Sequence, residues 1–252
     1  MNNVRIFTFY LLFLSLVVGF FLVIIQNDND SNTIHVALLD SGISDEMIRA
    51  LPPNITVKKY NEKDNEIIHA DLVLQRIIQD ISKEVNIVIH DVVVSNTESI
   101  KKYQLEEALK VAKDIGPHVL NLSLGLNQSN EKINILINDL IENGTVIVAA
   151  AGNRRSLNAQ FPARYDNVIS VGMLESNGEI SKISARKKVD FFADGEIDGL
   201  KGTSFSTPLV TNIIIKMLYL KELENTMDII DELRNYLEST ESSIKDVREI
   251  RI

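Results

Sequence analysis

The 252-residue chain has no cysteine and no tryptophan, five prolines and eleven glycines. Without cysteine there is no disulfide framework, no thiolate zinc site, no iron–sulfur cluster and no thiol nucleophile. No glycine- or proline-rich run and no internal repeat breaks it, which excludes collagen-like and low-complexity architectures. Positive charge is also short, with 26 basic side chains against 35 carboxylates and a net charge of −9. No clustered basic face is present to neutralise phosphates, so nucleic acid is not expected as a partner. Aromatics number fifteen, and six of them fall before residue 26. What is abundant is aliphatic: 45% of residues are hydrophobic and 24% charged, the balance of a globular chain with a packed core.

The N-terminus departs from that balance. Ile6–Ile25 is a run of twenty residues without a charge, in which only Thr8, Ser15 and Gly19 are not clearly apolar. At 1.5 Å per residue a helix of that length spans about 30 Å, the thickness of a bilayer core. The run is apolar all round, unlike a helix with one buried face. It ends in Ile24-Ile25-Gln26-Asn27, without the small residues that a signal peptidase reads. The expectation is an uncleaved transmembrane anchor over residues 1–25. Arg5 on one flank and Asp28 and Asp30 on the other place the N-terminus in the cytoplasm and the rest outside, a single-pass protein of the cell membrane. Residues 26–33 read as a polar linker spanning at most about 28 Å.

From Ile34 onward β-branched runs alternate with segments of helical period. Strands are expected at Ile34–Leu39, Val85–Val94, His118–Leu124, Thr145–Ala150 and Val168–Val171. Helices are expected at Ala70–Ile81, Leu105–Ile115, Ile133–Ile141 and Leu209–Leu220. Ala70, Val73, Leu74, Ile77, Ile78 and Ile81 repeat on one helical face. This order predicts a single α/β domain over 34–252, a mostly parallel sheet with helices on both faces. The charged tail after Lys221 keeps a helical spacing at Met227, Ile230, Leu233 and Leu237, a surface helix packed by one face.

In open parallel sheets reactive residues gather where strands end. Asp40 follows the apolar run Val36–Leu39 and reads either as an Asx turn into Gly42 or as a poorly solvated carboxylate seeking a partner. His69 stands at the start of the clearest helix, either as a cap or as a base that the positive dipole end keeps neutral. Ser204, in Gly202-Thr203-Ser204-Phe205-Ser206-Thr207-Pro208, opens an apolar helix and is either an N-cap or a nucleophile whose oxyanion meets that helix end. Asn121-Leu-Ser123-Leu-Gly125 and Ala149-Ala-Ala151-Gly152-Asn153 end two more strands with small residues, packed tightly or open to an extended peptide.

The order Asp40, His69, Asn153, Ser204, with the strings around them and with Phe161-Pro-Ala-Arg-Tyr165 and Asn167-Val-Ile-Ser-Val-Gly172, resembles the subtilisin-like serine peptidases from about Ile34 to Leu220. The resemblance implies a subtilisin-like three-layer fold and a serine endopeptidase. In it Ser204 is the nucleophile, His69 the general base and then acid, and Asp40 the carboxylate that orients the ring; this chain order of the triad is the one the subtilisin template carries. It implies Asn153 and the Ser204 amide as the oxyanion hole, and Ser123, Leu124 and Gly125 as the strand that binds the substrate backbone. The side-chain pocket would be walled by Ser123–Gly125 and Ala150–Gly152, including Ala151, with Gln160 near its polar floor and Pro162 after a cis peptide bond. Calcium is a cofactor of the family, with no site that maps onto this chain residue by residue. The substrates implied are peptides or proteins exported through, or tethered to, the same membrane.

Three departures accompany the resemblance. The family's His-Gly-Thr-x-Val-Ala-Gly reads His69-Ala-Asp-Leu-Val-Leu-Gln75 here, so both glycines are replaced. The alanine usual two residues after the nucleophile is Ser206. Eight residues between anchor and first strand leave no room there for the prosegment that many secreted relatives carry, so the domain is expected to fold without one. The alternative function is a catalytically inactive subtilisin-like module that holds peptides without cutting them. A nucleotide-binding domain is disfavoured because no glycine-rich phosphate loop follows the first strand.

Overall fold

The computed structural model describes residues 33–61, 68–95, 100–155, 158–220, 229–239 and 244–246. The expected anchor, and the linker apart from Thr33, lie outside the described residues. No helix among the described residues is long and apolar enough to cross a membrane.

Ile34–Ile252 is one compact unit. Its strands are β1 (Thr33–Asp40), β2 (Ile55–Tyr60), β3 (Asn86–Val93), β4 (Val119–Leu122), β5 (Val146–Ala150), β6 (Ile169–Leu174), β7 (Phe191–Asp194), β8 (Glu196–Ile197), β9 (Leu200–Lys201) and β10 (Lys245–Asp246). Its described helices are α1 (Asp45–Ala50), α2 (His69–Ile77), α3 (Lys102–Ile115), α4 (Glu131–Glu142), α5 (Thr203–Leu220) and α6 (Ile229–Ser239). Eight strands form one sheet in the order β10-β7-β6-β5-β4-β1-β3-β2; β8 and β9 form a separate hairpin. The pairs β2–β3, β1–β4, β4–β5, β5–β6 and β6–β7 are parallel, and β10 joins β7 antiparallel.

Because side chains alternate along a strand, each strand feeds two cores. Val36 and Leu38 of β1 join Ile87, Ile89, Val146 and Val148 in a core shared with α2, α5 and α6. Ala37 and Leu39 join Val92, Leu120, Leu122 and Ile147 in a second core shared with α3 and α4. The result is a three-layer α/β architecture, as the alternating pattern predicts. Helix α5 carries buried residues on every side, from Phe205 through Val210 and Ile214 to Met217, so it is an interior helix.

Two boundaries moved for identifiable reasons. Helix α2 ends at Ile77 although Ile78 and Ile81 continue its apolar period, because Asn212 of α5 donates from Nδ2 to the carbonyls of Ile77 and Gln79, both at 2.8 Å, and Asp80 turns to φ 54°. Helix α5 begins at Thr203, six residues before the expected Leu209, with Pro208 inside it.

The topology places a crevice. From β1 the chain goes to the edge strand β2, returns to β3 beside β1, then crosses over β1 to β4 and continues outward on the other side. The loops leaving the carboxyl ends of β1 and β4 therefore diverge, the arrangement that opens a binding crevice in such sheets.

Candidate active site

Asp40 is the last residue of β1 and His69 the first of α2, and the two meet at the mouth of this crevice. The ring Nδ1 of His69 donates to Asp40 Oδ1 at 2.7 Å, and the same oxygen accepts the Ser41 N–H at 2.7 Å. Asp40 is 7% exposed, while the His69 ring keeps about a third of its surface open. The N-cap of α2 is Ile68, so His69 does not serve as the helix cap. Burial pushes the His69 pKa down, but the charge of Asp40 and its hydrogen bond push it up more strongly, and the net direction is above 6.5. The helix dipole was expected to keep the ring neutral; the adjacent carboxylate outweighs it. With Nδ1 committed to Asp40, Nε2 is the ring atom left for proton transfer.

The altered string after His69 does not disturb this geometry. Ala70 is fully buried and its N–H donates to Ser41 Oγ at 3.2 Å; Val73 and Leu74 are also fully buried in the core. The Phe205 ring, next to Ser204 in the chain, lies 5.3 Å from that of His69 between centroids. This brings the start of α5 against the start of α2.

Ser204 is held by its own backbone. A helical carbonyl normally accepts from the N–H four residues on, but four residues after Ser204 stands Pro208, which has none. The vacant acceptor is taken by Ser123, whose Oγ donates to Ser204 O at 2.8 Å. Ser123 Oγ in turn accepts from Asn121 Nδ2 at 3.0 Å, and Asn121 Oδ1 accepts from Thr211 Oγ1 at 2.8 Å, a chain tying the end of β4 to two points on α5, Ser204 and Thr211. Ser123 was expected to bind substrate through its backbone; its side chain positions Ser204.

Asn153 is fixed by a residue the sequence reading passed over. Its Oδ1 accepts from Thr203 N at 2.8 Å and from Thr203 Oγ1 at 2.9 Å, while Thr203 Oγ1 accepts the Gly152 N–H at 3.0 Å. With the carbonyl engaged, the Nδ2 group is the free donor. A Cβ at Gly202 would stand 2.8 Å from that nitrogen, which explains glycine there.

Leu124, Gly125, Ala150, Gly152 and Gln160 line a cavity of about 210 Å³ beside Ser204. Asn127, Asn153, Arg154 and Thr203 complete its wall. Gln160 lies against both glycines: a Cβ on Gly152 or Gly125 would fall 2.3 or 2.6 Å from its Oε1, and its Nε2 donates to Asn127 Oδ1 at 2.7 Å. Ala151, expected on the substrate side, is fully buried and turned to structural use. Its N–H donates to Val171 O at 2.9 Å and its carbonyl accepts from Gln160 N at 2.8 Å, so Ala150 and Gly152 supply that wall. The Phe161–Pro162 peptide bond is cis.

Two further groups support the crevice. Asp91 of β3 is buried; its Oδ2 accepts the Ile43 N–H at 2.9 Å, and burial pushes its pKa up to about 6. With Asp71, which accepts from Ser44 N at 2.8 Å, it pins the loop that follows Asp40. Arg76 of α2 donates to Asp194 Oδ2 at 3.0 Å and to Glu196 O, joining the helix of His69 to the hairpin that leads into Ser204. Among the described residues no group of three or more acidic or histidine side chains is arranged to hold a metal, so no calcium site can be assigned there.

Comparison with known proteins gives a consistent result. The model of the subtilase family matches residues 59–244, a span that contains His69, Asn153 and Ser204 and begins after Asp40. The chain is 27% identical over 232 residues to alkaline elastase YaB of Bacillus sp. (strain YaB), covering 84% of this chain and 60% of that protein. It is 30% identical over 224 residues to the subtilase-type proteinase RRT12 of Saccharomyces cerevisiae, covering 77% of this chain and 45% of the relative. The chain thus spans less than two thirds of the length of these relatives. Among solved structures, a cold-adapted subtilisin-like serine proteinase superposes with a TM-score of 0.65 at 26% identity, covering 85% of each chain. The patellamide maturation protease PatA shares the fold, with a TM-score of 0.63 at 21% identity, covering 79% of this chain and 84% of that one.

Proposed function

Since this chain belongs to the subtilase family, we propose that it is a serine endopeptidase that works through Asp40, His69 and Ser204 by way of an acyl-enzyme. The observation that carries this reading is the 2.7 Å bond from His69 to Asp40 at the same crevice where Ser204 and Asn153 share a cavity.

In this mechanism the Ser204 hydroxyl attacks the scissile carbonyl as its proton passes to His69 Nε2. The imidazolium so formed is stabilised by Asp40, then donates the proton to the departing amine; water repeats the cycle to release the acyl group. Charge developing on the carbonyl oxygen is met by Asn153 Nδ2, whose orientation Thr203 sets, and by the Ser204 amide at the helix start. Leu124 and Gly125 offer the backbone beside which an extended substrate lies. Because the Gln160 side chain narrows the pocket between Gly125 and Gly152, the site suits a short side chain on the acyl side of the scissile bond.

The membrane setting belongs to the same proposal. It is supported by the uncharged run Ile6–Ile25 and the charges flanking it, and it makes exported or membrane-proximal polypeptides the substrates.

Treatment of the full-length chain with a fluorophosphonate probe, beside Ser204→Ala and His69→Ala, tests the central assignment. Labelling of the wild type that each substitution abolishes is expected, with hydrolysis falling on the order of a million-fold. A folded wild-type chain that stays unlabelled would reject the peptidase in favour of the peptide-holding module.

A further inference from the structure

Among the described residues, the wall of the cavity beside Ser204 has one charged side chain, Arg154, and no carboxylate. That is against the composition of the chain, whose net charge is −9. Arg154 is exposed, and its two neighbours are anchored, Asn153 through its side chain and Arg155 through its backbone. Asn153 before it is held by Thr203 at 2.8 and 2.9 Å; Arg155 after it donates its N–H to Ile183 O at 2.9 Å and sits at φ 49°. The guanidinium is therefore carried on a short pinned turn rather than on a free loop. The rest of the wall is polar but neutral, with the amides of Asn127, Asn153 and Gln160.

A guanidinium presents its donors in a planar fork that matches a carboxylate, and a site holding such a fork without a counter-charge selects an anion. Length is set by Gln160, whose side chain lies across the space between Gly125 and Gly152. We propose that Arg154 is a specificity-determining residue that selects a short acidic side chain, aspartate, immediately before the scissile bond. This inference rests on the reading of the cavity as the substrate side-chain pocket of a peptidase.

The test uses the full-length chain and fluorogenic peptides identical except for Asp, Asn, Glu, Ala or Lys before the cleaved bond. Asp and Asn are nearly isosteric, so their ratio isolates charge. The expected kcat/KM ratio of Asp to Asn is about five- to tenfold at low ionic strength, falling toward one at about 1 M salt. Glu is expected below Asp. Arg154→Ala should bring the Asp/Asn ratio to one, and Arg154→Glu should turn the preference toward Lys. An Asp/Asn ratio of one in the wild type, or a ratio that Arg154→Ala leaves unchanged, would overturn the proposal. The salt titration needs no variant and stands if one fails to fold. The Kd of Ser204→Ala for the Asp and Asn peptides, read by fluorescence anisotropy, gives the same ratio without cleavage. A chain that labels at Ser204 but shows no charge preference refutes the role of Arg154 alone. A chain that does not label refutes the peptidase, and the binding ratio then still decides whether Arg154 selects the acid.

Discussion

At the carboxyl end of the sheet His69 faces a carboxylate, whereas the other three histidines of the chain face one another. His35 of β1, His90 of β3 and His118 before β4 gather on the opposite face of the sheet from α2. His35 Nδ1 and His90 Nε2 lie 2.9 Å apart, His118 Nδ1 accepts the His35 N–H at 2.9 Å, and the Tyr60 hydroxyl lies 3.1 Å from His90 Nδ1. Burial acts on His69 and His90 in the same direction. Asp40 reverses it at His69, while at His90 the neighbouring charges of His35 and Lys58 add to burial and hold the pKa at about 4. The same side chain is thus made a proton acceptor in one place and, at neutral pH, an uncharged hydrogen-bonding ring in the other. Partner charge, rather than depth, separates the two.

The most drastic way to break this contrast is Asp40→Asn. It leaves His69 buried without its counter-charge, so the ring pKa should fall below 6.5, toward the behaviour of His90, and turnover should drop about 10⁴-fold. Steady-state kinetics and a histidine NMR titration would read the two effects. Next in size is Asn153→Ala, which removes the side-chain oxyanion donor and should lower kcat about 100- to 1,000-fold while leaving the His69 titration where it is.

The contrast can also be sharpened from the other side. A histidine whose folded pKa lies below its unfolded value is less protonated when folded, so its contribution to stability is full above pH 6.5 and is lost as pH falls toward 4. For His90 this loss is on the order of 3 kcal/mol. His90→Gln keeps hydrogen-bonding capacity without titrating, so its stability between pH 7 and pH 4, followed by thermal melts, should fall less steeply than that of the wild type. Smallest is Gln160→Gly, which empties the space beside Gly125 and Gly152. It should raise kcat/KM for large apolar residues before the scissile bond about tenfold relative to alanine, with little change for alanine itself, as profiled on a peptide series.

These two histidine sites also mark what could be read from sequence. Most strands that carry both cores announce themselves as apolar runs, and so does α5; β7, with Phe191 in one core and Phe192 in the other, is too short to do so. Strand β2 does not: in Ile55–Tyr60 only Ile55 is buried, because an edge strand needs few apolar residues. Asp40, His69, Asn153 and Ser204 were legible because each ends a strand or opens a helix, positions that a linear pattern reveals. Thr203, Asp91 and Arg154 were not, since their roles depend on contacts with Asn153, Ile43 and the cavity wall that only folding creates. The side-chain bond of Ser123 and the full burial of Ala151 were hidden for the same reason. The end of β5 was located at Ala150 and that of β4 two residues late, at Leu124 rather than Leu122, but which group faces the cleft is set by Pro208, Val171 and Gln160, far away in sequence. The histidine cluster left no linear trace, because His35 and His90 lie on two strands, β1 and β3, and His118 just before a third, β4.

The most direct test of the central claim, that Asp40, His69 and Ser204 act as one unit, is the pH dependence of the rate at which the full-length chain is labelled by a fluorophosphonate. The neutral His69 ring is the active form and its pKa is raised, so the rate should fall on the acid side with a midpoint above 6.5, and that midpoint should move below 6.5 in Asp40→Asn together with a large drop in rate. A labelling rate that is flat through this range, or a midpoint that Asp40→Asn leaves in place, would contradict the account.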